Sequence, residues 1–269
     1  MNNLGISRAW IWSGAGFEPA DGVPVTDRGF RYGMSLFESF PVRNGMGLFL
    51  KQHLTRLRDA CAVTGFLPPP NALSACEALL KNASNGFGRI YVTAGDGPVT
   101  GDFSDCRVLV FVEPREPTPA RVYHRGYDLA VRTDSHRPLF AGLKTGNYWG
   151  NLRAFREGVA SQCNETLLFN AAGHLISACM ANVFLVTQCR THTPDLNTGA
   201  RPGVIRDWVM HHIEVTEALL TRTDVEAADE IFLTSSWLGI MPAASVNGRR
   251  LRERTVTARL LEAYRKEIE

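Results

Sequence analysis

Apolar positions change period several times along this chain, and each change marks an element. Ala9 to Trp12 is a short apolar run, and Phe37 to Val42 alternates as a strand does before the turn signal Arg43-Asn44-Gly45. From Leu50 the spacing becomes helical through Leu54, Leu57, Ala60 and Cys61, with Gly65 placed to cap the end. Three consecutive prolines, Pro68 to Pro70, stop that helix, and Ala72 to Lys81 reads as a second one. Arg89 to Thr93 and Arg107 to Val112 read as strands. The Pro-rich segment EPREPTPA, Glu113 to Ala120, reads as an extended linker, so a domain boundary is expected there, between residues 1–115 and 116–269. Beyond it the pattern predicts strands at 127–132, 165–169, 175–177, 181–187 and 231–234, and helices at 152–162, 204–212 and 257–266. Strands precede helices in two mixed halves, which points to an α+β fold rather than a doubly wound sheet.

Composition narrows the function class. The 269 residues are 45% hydrophobic, enough for a large core, and the net charge of +2 gives no reason to expect nucleic acid or an anionic membrane as partner. Six dispersed cysteines without a C-x-x-C pair read as reduced thiols of a cytoplasmic protein, not as a disulfide frame or a metal site. The opening MNNLGISRAWIWSGAG lacks the charged-then-apolar form of a signal peptide, and no stretch is long and apolar enough to span a membrane. The basic residues are mostly Arg; the only lysines are Lys51, Lys81, Lys144 and Lys266. A lysine can lose its proton in a protein and an arginine cannot, so these four are candidates for amine chemistry.

Four segments, in order, resemble the class IV aminotransferases (PLP fold type IV). They are VTDRGFRYGMSLFESFPVRNG (Val25–Gly45), HLTRL (His53–Leu57), the long block from Leu143 to Asp207 that contains LKTGNYWGNL and SACMANVFLV, and ADEIFLTSSWLGIMP (Ala228–Pro242). The resemblance implies a two-domain fold like that of D-amino-acid aminotransferase, a homodimer, and pyridoxal 5'-phosphate as cofactor. It implies Lys144 as the catalytic lysine, forming a Schiff base with the cofactor and moving a proton at the substrate carbon. That chemistry needs an amine whose charge is disfavoured by burial. The resemblance gives Arg56 as the phosphate arginine. It gives the turn Gly203-Val204-Ile205-Arg206 as a helix start whose N–H groups at Val204 and Ile205 meet the phosphate. Ser236 falls at the second phosphate hydroxyl, so Ser235 and Ser236 are candidates to supply a phosphate hydroxyl; Tyr148 falls near the ring's phenolic oxygen, and Tyr32 at a wall of the substrate pocket. Asn182 matches a structural asparagine.

Three positions depart from the family pattern. Ile205 stands where a threonine is usual, Arg201 where a leucine usually packs on the ring, and Ser177 where a glutamate usually keeps the pyridine nitrogen protonated. A serine hydrogen-bonds to a neutral nitrogen but supplies no charge. Transamination needs a long-lived carbanion and suffers when the ring is a weaker electron sink; β-elimination needs only a brief one. The motif LTSSWLGIMP and the short chain also resemble the lyase branch. The leading expectation is therefore a lyase of the 4-amino-4-deoxychorismate type, giving 4-aminobenzoate and pyruvate. The alternatives are an aminotransferase acting on a small branched-chain or D-amino acid, and a degenerate member that binds without catalysis. Thr93 to Gly97 lacks an arginine often seen at that loop in the lyases, which leaves the substrate carboxylate without an assigned ligand.

Overall fold

The computed structural model describes residues 8–81, 83–136 and 140–268. The chain divides into two compact units: Met1–Pro117 with Leu143–Asn147, and Thr118–Gly142 with Tyr148–Glu269.

The first unit runs β1 (Arg8–Trp12), β2 (Phe17–Pro19), α1 (Arg28–Tyr32), β3 (Ser35–Arg43), β4 (Met46–Gly47), α2 (Leu50–Thr64), α3 (Ala72–Leu80), β5 (Gly86–Thr93) and β6 (Arg107–Glu113). Its six strands form one sheet in the order β2-β1-β6-β5-β3-β4. Alternation in β3 and β5 sends Leu36, Phe40, Ile90 and Val92 to one face, where they pack with Leu54 and Leu57 of α2 into a closed core. Gly65 ends α2 in the left-handed conformation, φ +74°. Asp27 caps the entry to α1: its carboxylate accepts from Gly29 N at 2.6 Å and from Thr93 Oγ1 at 2.7 Å. The Arg28 guanidinium is buried and donates to the carbonyls of Ala94, Gly95, Pro98 and Asp102, tying down the loop after β5.

The second unit comprises α4 (Ala120–Arg125), β7 (Tyr127–Ser135), α5 (Trp149–Ala160), β8 (Glu165–Phe169), β9 (Leu175–Ala178), β10 (Asn182–Thr187), β11 (Arg190–Pro194), α6 (Val204–His212), β12 (Val215–Ala218), α7 (Arg222–Ala227), β13 (Glu230–Ser235), β14 (Gly239–Val246), β15 (Arg249–Arg250) and α8 (Thr255–Ile268). Its sheet runs β12-β11-β10-β13-β14-β7-β8-β9, with β15 paired to β14. Two differences from the sequence pattern have clear physical reasons. The helix predicted from residue 152 begins at Trp149, whose side chain is exposed, so no apolar period marks its first turn. The central strand β14 is hidden by Gly239 and Pro242. Its pairing with β7 starts only at Ala243, one residue past the proline that has no N–H to give. Among the described residues no helix is long and apolar enough to cross a membrane.

Candidate active site

In the first unit, Lys144 is held by the edge of β3. Phe37 N donates to Lys144 O at 2.9 Å, Gly146 N donates to Ser35 O at 2.9 Å, and Leu36 bridges to Thr145. The segment 143–147 thus occupies the part of the β3 edge that the short hairpin strand β4 leaves open. Lys144 is half-buried, and its amine lies over the Phe37 ring, 4.1 Å from the centroid; that ring stacks on Tyr91 of the neighbouring strand at 5.4 Å.

Behind this strand, on the α2 side, lies a charged cluster. Glu38 is 2% exposed and His53 is fully buried. His53 Nδ1 donates to Glu38 Oε2 at 2.6 Å; Arg56 Nε donates to Oε1 at 2.7 Å and Nη2 to Oε2 at 2.8 Å. Burial works against ionisation of Glu38, but the His53 hydrogen bond and the Arg56 guanidinium outweigh it and hold the carboxyl well below the usual range. Burial also pushes the His53 pKa down, with the Glu38 hydrogen bond and charge opposing and the charges of Arg56 and then Lys144 adding to the fall. The HLTRL motif points to Arg56 but not to the pair that holds it. The signal was present: Glu38 has the parity of Leu36 and Phe40 in β3, so it had to be buried, and a buried carboxylate needs a partner.

In the second unit, a different set of groups gathers at the start of α6. Gly203 is its N-cap, with no side-chain cap on the first N–H groups, and Val204 and Ile205 form a buried first turn. Asn182, first residue of β10, pairs across the sheet with Thr234 of β13, and its Nδ2 donates to Arg201 O at 2.8 Å. A Cβ on Gly203 would stand 1.9 Å from Asn182 Oδ1. The asparagine therefore locks the loop that carries Arg201 onto the strand end that carries Thr234, Ser235 and Ser236. Ser235 Oγ accepts from Leu238 N at 3.2 Å and so closes the β13–β14 turn, while Ser236 is half-buried just beyond it. Thr234 Oγ1 is buried with no hydrogen-bond partner among the described residues. An uncapped helix start beside an orphaned buried hydroxyl suits an anion.

Tyr148 is the N-cap residue of α5, without a side-chain cap bond, and Ser177 is half-buried in β9, cross-strand from Leu168. Two residues past Ser177, Cys179 N donates to buried Glu165 at 3.0 Å, and Met180 N does so at 2.9 Å, so this carboxylate holds the turn into β10. Tyr32 ends α1; it is 43% exposed, with the Arg31 guanidinium 4.9 Å above its ring.

The model of the amino-transferase class IV family matches residues 35–246, from the first residue of β3 to the last of β14. The chain belongs to the class IV aminotransferases. Among similar members, the aminodeoxychorismate lyase of Vibrio harveyi is 28% identical over 243 residues, covering 85% of this chain and 89% of that one. The crystal structure of 4-amino-4-deoxychorismate lyase from Pseudomonas aeruginosa superposes with a TM-score of 0.85 at 26% identity, over 97% of this chain and 99% of that one. The fold is shared as well with a T.th. branched-chain amino acid aminotransferase solved with pyridoxamine 5'-phosphate. That match has a TM-score of 0.84 at 20% identity, over 97% and 93% of the two chains. This class IV aminotransferase therefore has the α+β, two-sheet architecture of fold type IV.

Proposed function

We propose that this chain is a pyridoxal-phosphate lyase of the 4-amino-4-deoxychorismate type, a cytoplasmic homodimer, releasing 4-aminobenzoate and pyruvate. Positions in each unit, taken by itself, match cofactor-holding positions of the family. The first supplies the Lys144 amine for a Schiff base and Arg56 for the phosphate. The second supplies the Val204 and Ile205 N–H groups, the Ser236 hydroxyl and the orphaned Thr234 hydroxyl. Ile205 lacks the usual threonine hydroxyl, and Thr234 and Ser236 offer hydroxyls at the same cradle. When bound, pyridoxal phosphate supplies an aldehyde and an electron-withdrawing ring. Lys144 moves the proton at the substrate's α-carbon, while the Phe37 ring covers one side of its amine. Tyr148 would hold the ring near the ring's phenolic oxygen, and Arg201 would stand at the position that packs on the ring.

Ser177 carries the choice of reaction. A half-buried hydroxyl in β9, at the position where a glutamate would charge the pyridine nitrogen, leaves a weaker electron sink and favours elimination over transamination. The second reading is an aminotransferase using the same lysine. Purified protein with pyridoxal phosphate should show a visible absorbance band that Lys144→Ala loses, and aminodeoxychorismate should yield pyruvate in a lactate-dehydrogenase-coupled assay. No pyruvate with that substrate, together with amino-group transfer from any of a panel of L- and D-amino acids, overturns the lyase in favour of the aminotransferase. A band with neither reaction leaves a binder without catalysis.

A further inference from the structure

We propose that Glu38 is a positioning residue for the phosphate arginine: its carboxylate, fixed by His53, sets the Arg56 guanidinium in its anion-binding orientation before the cofactor arrives. The inference rests on the cofactor reading above and goes beyond it, to a buried group with no direct part in the chemistry.

The geometry carries the argument. Glu38 meets the Nε–Nη2 edge of Arg56 through both its oxygens, at 2.7 and 2.8 Å. That two-point pairing fixes the plane of the guanidinium as well as its position. It uses two of the five N–H groups and turns the Nη1–Nη2 edge away from the carboxylate, and that edge is the one that takes two oxygens of a phosphate. Glu38 cannot follow Arg56 if the arginine swings. It sits in the middle of β3, between neighbours paired to β5, and His53 holds its second oxygen at 2.6 Å from a fully buried ring. His53 and Arg56 are three residues apart on α2, so one helical turn presents both donors to one carboxylate. A long, flexible side chain is thereby ordered on folding rather than on binding, which strengthens binding by removing an entropic cost from that step.

The experiment is a double-mutant cycle read as the dissociation constant of pyridoxal phosphate for the apoenzyme, followed by quenching of tryptophan fluorescence. Glu38→Gln keeps the shape and removes the charge, and should weaken binding roughly tenfold to a hundredfold. Arg56→Ala should weaken it at least as much, and the double variant should match Arg56→Ala alone, because Glu38 acts only through the arginine. Glu38→Asp guards against a Glu38→Gln chain that does not fold: it keeps the charge but is too short to meet both nitrogens, and should weaken binding severalfold with the same coupling. A merely structural role predicts instead that the Glu38 and Arg56 effects multiply, and that outcome overturns the proposal, as does an unchanged dissociation constant in both Glu38 variants. A wild-type chain that takes up no pyridoxal phosphate overturns the cofactor reading and this one together, whereas binding with multiplying effects overturns this one alone.

Discussion

A methyl group at position 203 has no room. Gly203 has φ −75°, an ordinary backbone conformation, so Gly203→Ala is a steric perturbation and not a backbone one. The added Cβ would lie 1.9 Å from Asn182 Oδ1 and 3.0 Å from its Cγ, well inside contact distance. The asparagine must turn away, and its 2.8 Å hydrogen bond to the Arg201 carbonyl is lost. One such bond is worth about 1 kcal/mol, and about 1–3 kcal/mol if the carbonyl is left buried and unpaired. For a domain of this size that corresponds to a fall in melting temperature of roughly 3–10 °C. The same movement displaces the α6 start, so pyridoxal phosphate should bind more weakly. Circular-dichroism melts and apoenzyme titration read the two effects. Gly16→Ala is the control, since nothing lies within 4 Å of its added carbon. In an Asn182→Ala background the methyl finds space, so the two losses should not add. A Gly203→Ala protein that melts with the wild type and binds the cofactor equally well would refute the locking role of Asn182.

Three further outcomes follow from the buried groups. Burial pushes the Glu165 carboxyl up to about 7 against its three backbone N–H donors, so its folded value lies above the unfolded 4.5. Such an acid stabilises the fold below pH 4.5 and loses that contribution as pH rises through about 7; urea unfolding should show up to about 3 kcal/mol lost over this span, absent in Glu165→Gln, and parallel pH curves for the two proteins would contradict it. Glu38 has the opposite sign: its depressed value gives stability above pH 4.5 that is lost in acid, so the fluorescence of the first unit should report loosening as pH falls below about 4, with Glu38→Gln insensitive. Burial pushes the thiols of Cys61 and Cys76 up to about 12 and that of Cys106 to about 11, whereas Cys189 is exposed at a hairpin tip. Iodoacetamide at pH 8 followed by peptide mass spectrometry should find Cys189 alkylated first and those three only after unfolding.

Local pattern alone revealed much of this protein. The helical period and Gly65 marked α2, alternation marked β3, and the four motifs carried the family, because period, capping and motif spacing are written in neighbouring residues. What tertiary structure decided lies between residues far apart in the chain. Lys144 occurs in a segment with no strand pattern of its own, and only the open edge of β3 gives its backbone partners and sets its amine over Phe37. Strand β14 carries a glycine and a proline that mask it in the sequence, yet the sheet places it near the centre, since β13 and β7 pair with it from either side. Glu38 and Arg56 each look ordinary in the sequence. Their pairing exists because α2 crosses one face of β3, and burial in that crossing is what turns two separate charges into one fixed ion pair.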